Sequence, residues 1–68
     1  MAHAPSAVPS QSAMPLAVAA LFERQDRHAA VEIAARWALA WEAVGQPGLA
    51  QAIADATHAE VALRATQH

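Results

Sequence analysis

The sequence predicts an all-α protein, a two- or three-helix antiparallel hairpin or bundle with a flexible N-terminal tail. Alanine occupies 21 of the 68 positions, and it favours helix because its methyl group loses no rotamer freedom on folding. Only 17 positions carry a larger apolar side chain, so the core is thin. A Gly-Gln-Pro-Gly turn at 45–48 joins two helical segments, and so short a connection predicts that they pack antiparallel.

The first 13 residues are rich in proline, serine, alanine and glutamine, and they offer little besides Val8 for burial. Such a segment cannot offset the entropy lost on ordering. We therefore expect a flexible tail over residues 1–13, followed by one small helical domain over residues 14–68.

The first helix is expected over residues 15–25, because the fixed φ of Pro15 and its missing N–H suit the first turn of a helix. From Leu16 to Phe22, apolar side chains cover most of the helix circumference. A short helix of this kind is typical of a segment with contacts on more than one side. We expect it to pack across the hairpin or onto a partner.

A polar run at 23–28 follows, and it has two interpretations. Asp26 could cap a new helix that begins at Arg27, which requires a tight turn. Alternatively, Glu23 and Arg27 form an i,i+4 pair on one uninterrupted helix, since the run contains neither glycine nor proline. We favour the turn.

The second helix, expected over residues 28–44, carries an apolar stripe of the width typical of a core-facing surface. Its members are Ile33, Trp37, Ala40, Trp41 and Val44. Leu39 lies on the opposite, polar side, either as an ordinary exposed leucine or as part of a second contact surface. The two tryptophans, one turn apart, are either the core or anchors for another protein, a role in which tryptophan is enriched.

The third helix is expected over residues 48–65, after Gly45 ends the second helix in a left-handed conformation and Pro47 opens the next. Its apolar stripe contains Leu49, Ala52, Ile53, Ala56 and Leu63. Glu60 falls in the middle of that stripe, where an unpaired carboxylate is costly to bury. Either this end of the helix extends beyond the hairpin into water, which we favour, or Glu60 pairs with a cation from Arg64 or a partner.

The charge balance is slightly acidic, with four arginines, no lysine and six carboxylates for a net charge of −2. Nucleic-acid binding needs several cations on one face, so we expect no nucleic-acid partner. The apolar run at 16–22 is too short to span a bilayer, and no basic segment precedes an apolar run as in a secretory signal. We expect a cytoplasmic protein.

No catalytic, cofactor or metal site is predicted. The chain has no cysteine, which excludes disulfides and thiolate chemistry. The four histidines, which lack the spacing of metal ligands, are His3, His28, His58 and His68. All serines lie in the expected tail, and the two glycines form no phosphate-binding loop. We expect a protein that is not an enzyme, or at most a noncatalytic subunit of one.

Two stretches resemble parts of tetratricopeptide repeats. Residues 30–34 and 50–54 are similar to the second-helix core of those units, and residues 37–44 with the following glycine turn resemble their first helix. The stretches are 20 residues apart, whereas the family repeats at about 34 residues. The resemblance covers less than one repeat, and it implies peptide or subunit binding.

The shortage of bulky side chains leads to the functional expectation. A core of this size rarely supplies more than roughly 3–5 kcal/mol without a disulfide, a metal or a partner. We therefore expect a protein–protein interaction module: a small accessory subunit, adaptor or chaperone stabilised within a larger complex, or alternatively a noncatalytic enzyme subunit or a self-assembling homo-oligomeric bundle. The partner is another protein chain or a second copy. The expected partner-binding residues are Leu16, Leu21, Phe22, Ile33, Trp37, Leu39, Trp41, Leu49 and Ile53.

Overall fold

Three α-helices make up most of the chain in a computed structural model, which describes residues 8–66. They are α1 (Met14–Arg24), α2 (Arg27–Ala43) and α3 (Pro47–Ala65), and a short 3-10 helix (Gln11–Ala13) precedes them. The described residues contain no strand. The all-α prediction is therefore confirmed, and the arrangement is a three-helix bundle.

The turn between α1 and α2 is formed by two residues. Gln25 is extended, with φ −118° and ψ 158°, which ends α1. Asp26 caps α2, and its Oδ1 accepts a hydrogen bond from the backbone N–H of Ala29 at 2.8 Å. The aspartate satisfies one of the free N–H groups at the start of α2, so a new helix begins at once. The favoured interpretation of the polar run is confirmed.

The turn between α2 and α3 depends on Gly45, whose φ is +83°. Its N–H donates to the carbonyl of Glu42 at 3.1 Å, and the N–H of Gln46 donates to the carbonyl of Trp41 at 2.8 Å. These bonds satisfy carbonyls at the end of α2, as predicted for a left-handed cap. Pro47 is the first residue of α3 and needs no N–H partner there.

Replacing Gly45 with alanine is expected to lower the free energy of unfolding by about 1 kcal/mol, because a Cβ disfavours the left-handed conformation. A clash contributes nothing, since no atom lies within 4 Å of the added Cβ. Urea denaturation followed by circular dichroism measures the change. Gly48→Ala is the matched control: that glycine lies inside α3, and the atoms nearest its added Cβ belong to the flexible Gln11 side chain. Equal stability of Gly45→Ala and the unaltered chain would contradict the prediction.

The core is built mainly by α1 and α3. The large buried side chains come from these two helices, whereas the two buried residues of α2 are both alanines. The core cluster consists of Met14, Val18, Leu21, Phe22, Ala30, Ala34, Leu49, Ile53 and Ala56. Small side chains on α2 let its backbone approach the other helices closely.

The predicted core-facing stripe of α2 is wrong at its centre. Ala30 and Ala34 are 0% and 1% exposed, whereas Trp37 is 36% exposed and Val44 65%. Trp41, like Ile33, is partly buried and packs against the core from its margin. Indole rings are much larger than the alanine methyl groups that occupy the buried face of α2. The helix is therefore rotated so that its alanines face inward.

Glu60, near the C-terminal end of α3, is paired within the chain. Its carboxylate pairs with the guanidinium of Arg64, and the two side chains are only 19% and 28% exposed. The same guanidinium lies over the ring of Phe22, 5.2 Å from its centroid. The pairing with Arg64 replaces the favoured alternative, a helix end extending into water, although Leu63 is 52% exposed. A cation placed over an aromatic ring connects α3 to α1.

Part of the predicted N-terminal tail lies outside the described residues. Residues 1–7, which include His3, belong to that part, and His68 at the other end of the chain also lies outside the described residues. Within the described portion, the 3-10 helix at 11–13 contacts both α1 and α3.

Candidate interaction surface

Helices α2 and α3 pack antiparallel and leave a groove between them. Near the turn, the groove is lined by Glu42 of α2 and Pro47 of α3. Farther from the turn, it is lined by Val31 of α2 and Val61 of α3. Residues near the end of one helix and the start of the next share one end of the groove, as the predicted hairpin requires.

The groove is large for so small a protein. Its main part has a volume of about 770 Å³, and all ten residues that line this part belong to α2 or α3. A smaller part of about 270 Å³ lies toward the turn. The two parts share Ala38, Leu39 and Ala54, so they form one continuous surface along the hairpin.

The main part of the groove is apolar. Eight of its ten lining residues are alanine, valine or leucine, and His58 is its one ionisable residue. The remaining polar residue, Thr57, donates its hydroxyl hydrogen bond to the carbonyl of Ile53 at 2.7 Å. This lining offers an occupant mostly hydrocarbon and few hydrogen bonds.

Two large apolar side chains are exposed at the groove. Leu39 is 65% exposed and Val31 37%. Both lie on α2 with Ala35 midway between them, and this spacing of four places all three on one face of a helix. Unlike scattered exposed leucines, these residues form part of a contiguous apolar surface.

The structure separates the nine predicted partner-binding residues into three groups. Leu39 lines the groove. The members of the second group are buried in the chain's own core; they are Leu21, Phe22, Leu49 and Ile53. The third group lies elsewhere on the bundle: Leu16, 79% exposed, is on the outer face of α1, while Ile33, Trp37 and Trp41 lie at the margin of the core or beside it.

Sequence reasoning missed most of the groove. On α2 it missed Val31 and Ala35, and on α3 it missed Ala54, His58 and Val61. The signal was a second series of small and apolar residues on each helix, at intervals of three or four, beside the stripe of larger residues. It was overlooked because alanine has little weight in a search for bulky apolar faces.

The described ionisable groups near the groove make contacts within their own helices. Asp55 accepts a hydrogen bond from Gln51 at 2.9 Å through its Oδ1, and Nε2 of His28 lies 3.8 Å from Glu32 at an exposed position. Among residues 8–66, no group of three histidine, cysteine or carboxylate side chains is placed to hold a metal ion. Within the same range, no helix combines the length and apolarity needed to cross a membrane.

Comparisons with known proteins identify no relative of this chain. The chain matches no protein-family model, no curated protein and no solved structure. The molecule is thus defined by its own geometry, as a three-helix bundle with an open apolar groove along its α2–α3 hairpin.

Proposed function

We propose that this chain is a noncatalytic protein–protein interaction module, acting as a small accessory subunit, adaptor or chaperone whose partner occupies the α2–α3 groove. The single observation that carries the proposal is the apolar surface of the main part of that groove, with Leu39 and Val31 exposed at its edge. Contiguous apolar patches on a small protein mark interaction sites. A noncatalytic role agrees with a lining that has only two ionisable side chains, His58 in the main part and Glu42 near the turn.

The thinness of the core supports the same proposal. The largest side chains that are fully buried are Ile53 and Val18, and neither indole ring is enclosed. A protein that binds only the folded state stabilises it by mass action. Occupation of the groove therefore adds the stability that a core of this size lacks. The cytoplasmic location expected from the sequence, and a role as a noncatalytic enzyme subunit, are compatible with this proposal.

Site-specific photo-cross-linking in the cell that expresses the protein tests the proposal. A benzophenone amino acid at Leu39 places the reactive group in the groove, and the same amino acid at Leu16 is the control on the outer face of α1. We expect protein adducts at the first position that are missing at the second. Excess unlabelled chain should suppress them, whereas excess Ala35→Arg chain, with a charge in the groove, should not.

Two results would overturn the proposal. One is the absence of protein adducts at Leu39, and the other is an identical set of adducts at Leu39 and Leu16. An adduct with another protein and an adduct with a second copy both agree with an interaction module. Mass spectrometry of the cross-linked peptides tells these two apart.

A further inference from the structure

We propose that the occupant of the groove is a second copy of this chain, docked so that the two α2 helices cross antiparallel at Ala35. The inference rests on the proposed function, because it names the partner for the same surface. Two copies related by this two-fold axis bring their α2–α3 hairpins face to face. The product is a dimer whose centre is a four-helix bundle made of the two hairpins, with one α1 on each outer side.

The apolar residues of α2 suit a two-fold contact. Ala35 lies four residues after Val31 and four before Leu39, so an axis at Ala35 places each valine opposite the leucine of the second copy. The small residue lies where the helices approach most closely, and the larger ones pack on either side. Leu39, 65% exposed in a single copy, is covered in the dimer.

The charges of α2 select the antiparallel orientation. Arg27 and His28 stand eight and seven residues before Ala35, and Glu42 stands seven after it. An antiparallel crossing therefore places Glu42 beside Arg27 and His28 of the second copy, at both ends of the contact. In a parallel arrangement, Arg27 faces Arg27 and Glu42 faces Glu42 of the second copy.

The charges near the middle of the contact do not set the orientation. Arg36 follows Ala35 directly and Glu32 stands three residues before it, so antiparallel docking places Arg36 two residues along the helix axis from both Glu32 and Arg36 of the second copy. Both side chains are exposed in the single chain. Exposed ion pairs are individually weak, so the pairs between Glu42 and Arg27 fix the register while apolar contact supplies the affinity.

Helix α3 fits the same axis. Counting equally from the turn at Gln46 places Thr57 across the groove from Ala35. A two-fold axis that runs across the hairpin face past Ala35 and Thr57 brings His58 close to Asp55 of the second copy. The hydroxyl of Thr57 already donates to the carbonyl of Ile53, so the dimer buries no unsatisfied hydroxyl there.

The available area suits a weak dimer. Helix α2 has 17 residues and is therefore about 25 Å long, and two adjacent helices are about 20 Å wide. The hairpin face thus covers roughly 500 Å² per copy, or roughly 1,000 Å² in total, which is the lower limit for a specific interface and less than the standard size. An interface of this size predicts a dimer that dissociates on dilution.

Disulfide trapping tests the axis directly, because the chain has no cysteine of its own. Ala35→Cys places one thiol from each copy at the crossing point. Ala40→Cys is the matched control, since Ala40 is an exposed alanine of the same helix outside the groove lining. Under mild oxidation we expect Ala35→Cys to form a disulfide-linked dimer at least about tenfold faster, because the dimer raises the effective concentration of its thiols.

A charge exchange tests the register in solution. Glu42→Arg places like charges together and should raise the dimer dissociation constant about tenfold by analytical ultracentrifugation. Arg27→Glu in the same chain should restore it. Both exchanges suit the helix dipole, with a carboxylate near the N-terminus of α2 and a cation near its C-terminus, so folding is preserved.

A chain that sediments as a monomer at every concentration, together with equal oxidation of the two cysteine variants, would overturn the second-copy proposal. Failure of the double exchange to restore the dimer would overturn the stated register. If Leu39 cross-links to a different protein under those conditions, the interaction module survives and the self-association fails. If Leu39 yields no protein adduct, both proposals fail.

Discussion

Replacing Ile53 with alanine is expected to unfold most of the chain in dilute buffer. Ile53 is 1% exposed and is one of the two largest side chains that are fully buried. Truncating such a residue costs about 2–5 kcal/mol, from lost burial and from the cavity left behind. The core of a domain this small rarely supplies more than roughly 3–5 kcal/mol, so a single truncation of this size removes most of that stability.

Far-ultraviolet circular dichroism and urea denaturation measure this loss. Leu63→Ala is the matched control, because Leu63 lies on the same helix and is 52% exposed. We expect that control to change the free energy of unfolding by less than about 0.5 kcal/mol. Full helicity and an unchanged urea midpoint for Ile53→Ala would contradict the assignment of Ile53 to the core.

Replacing Ala34 with leucine is expected to destabilise the bundle by about 1–3 kcal/mol, because the larger side chain overpacks a buried site at the floor of the groove. Ala34 is 1% exposed and belongs to the core cluster. Its small size lets α2 approach α1 and α3. Leucine at this position pushes α2 away from α1 and α3 and breaks packing contacts along α2.

Thermal and urea denaturation of Ala34→Leu are compared with those of Ala40→Leu. Ala40 is an exposed alanine on the same helix, and leucine has nearly the same helix propensity as alanine. The control should therefore lie within about 0.5 kcal/mol of the unaltered chain. A stabilised Ala34→Leu protein would mean that the leucine side chain occupies the groove that Ala34 also lines, contrary to the expected overpacking.

Much of the local structure could be predicted from the sequence, because it depends on neighbouring residues. Asp26 marks the start of α2 since its side chain reaches an N–H three residues later. Gly45 marks the end of α2 since few other residues adopt a positive φ. The antiparallel hairpin then follows from the length of the turn.

The face that each helix presents to its neighbours could not be predicted as well. Trp37 lies on the apolar stripe of the helical wheel, as core or as anchor for a partner, yet it is 36% exposed, while Ala34 is buried. A helical wheel ranks faces by hydrophobicity, whereas three helices in contact select the face that allows the closest approach. The same bias concealed the groove, whose lining is largely alanine.

The sequence by itself determined where helices begin and end and that the bundle has little bulk to bury, because capping, turn geometry and propensity act over a few residues. Only the tertiary structure decided that Ile53 and Val18 fill the centre, that Arg64 covers Phe22 while neutralising Glu60, and that the alanines of α2 and α3 form an open groove. These outcomes depend on the rotation of each helix about its axis. That rotation is set by packing among all three helices together, which no single segment encodes.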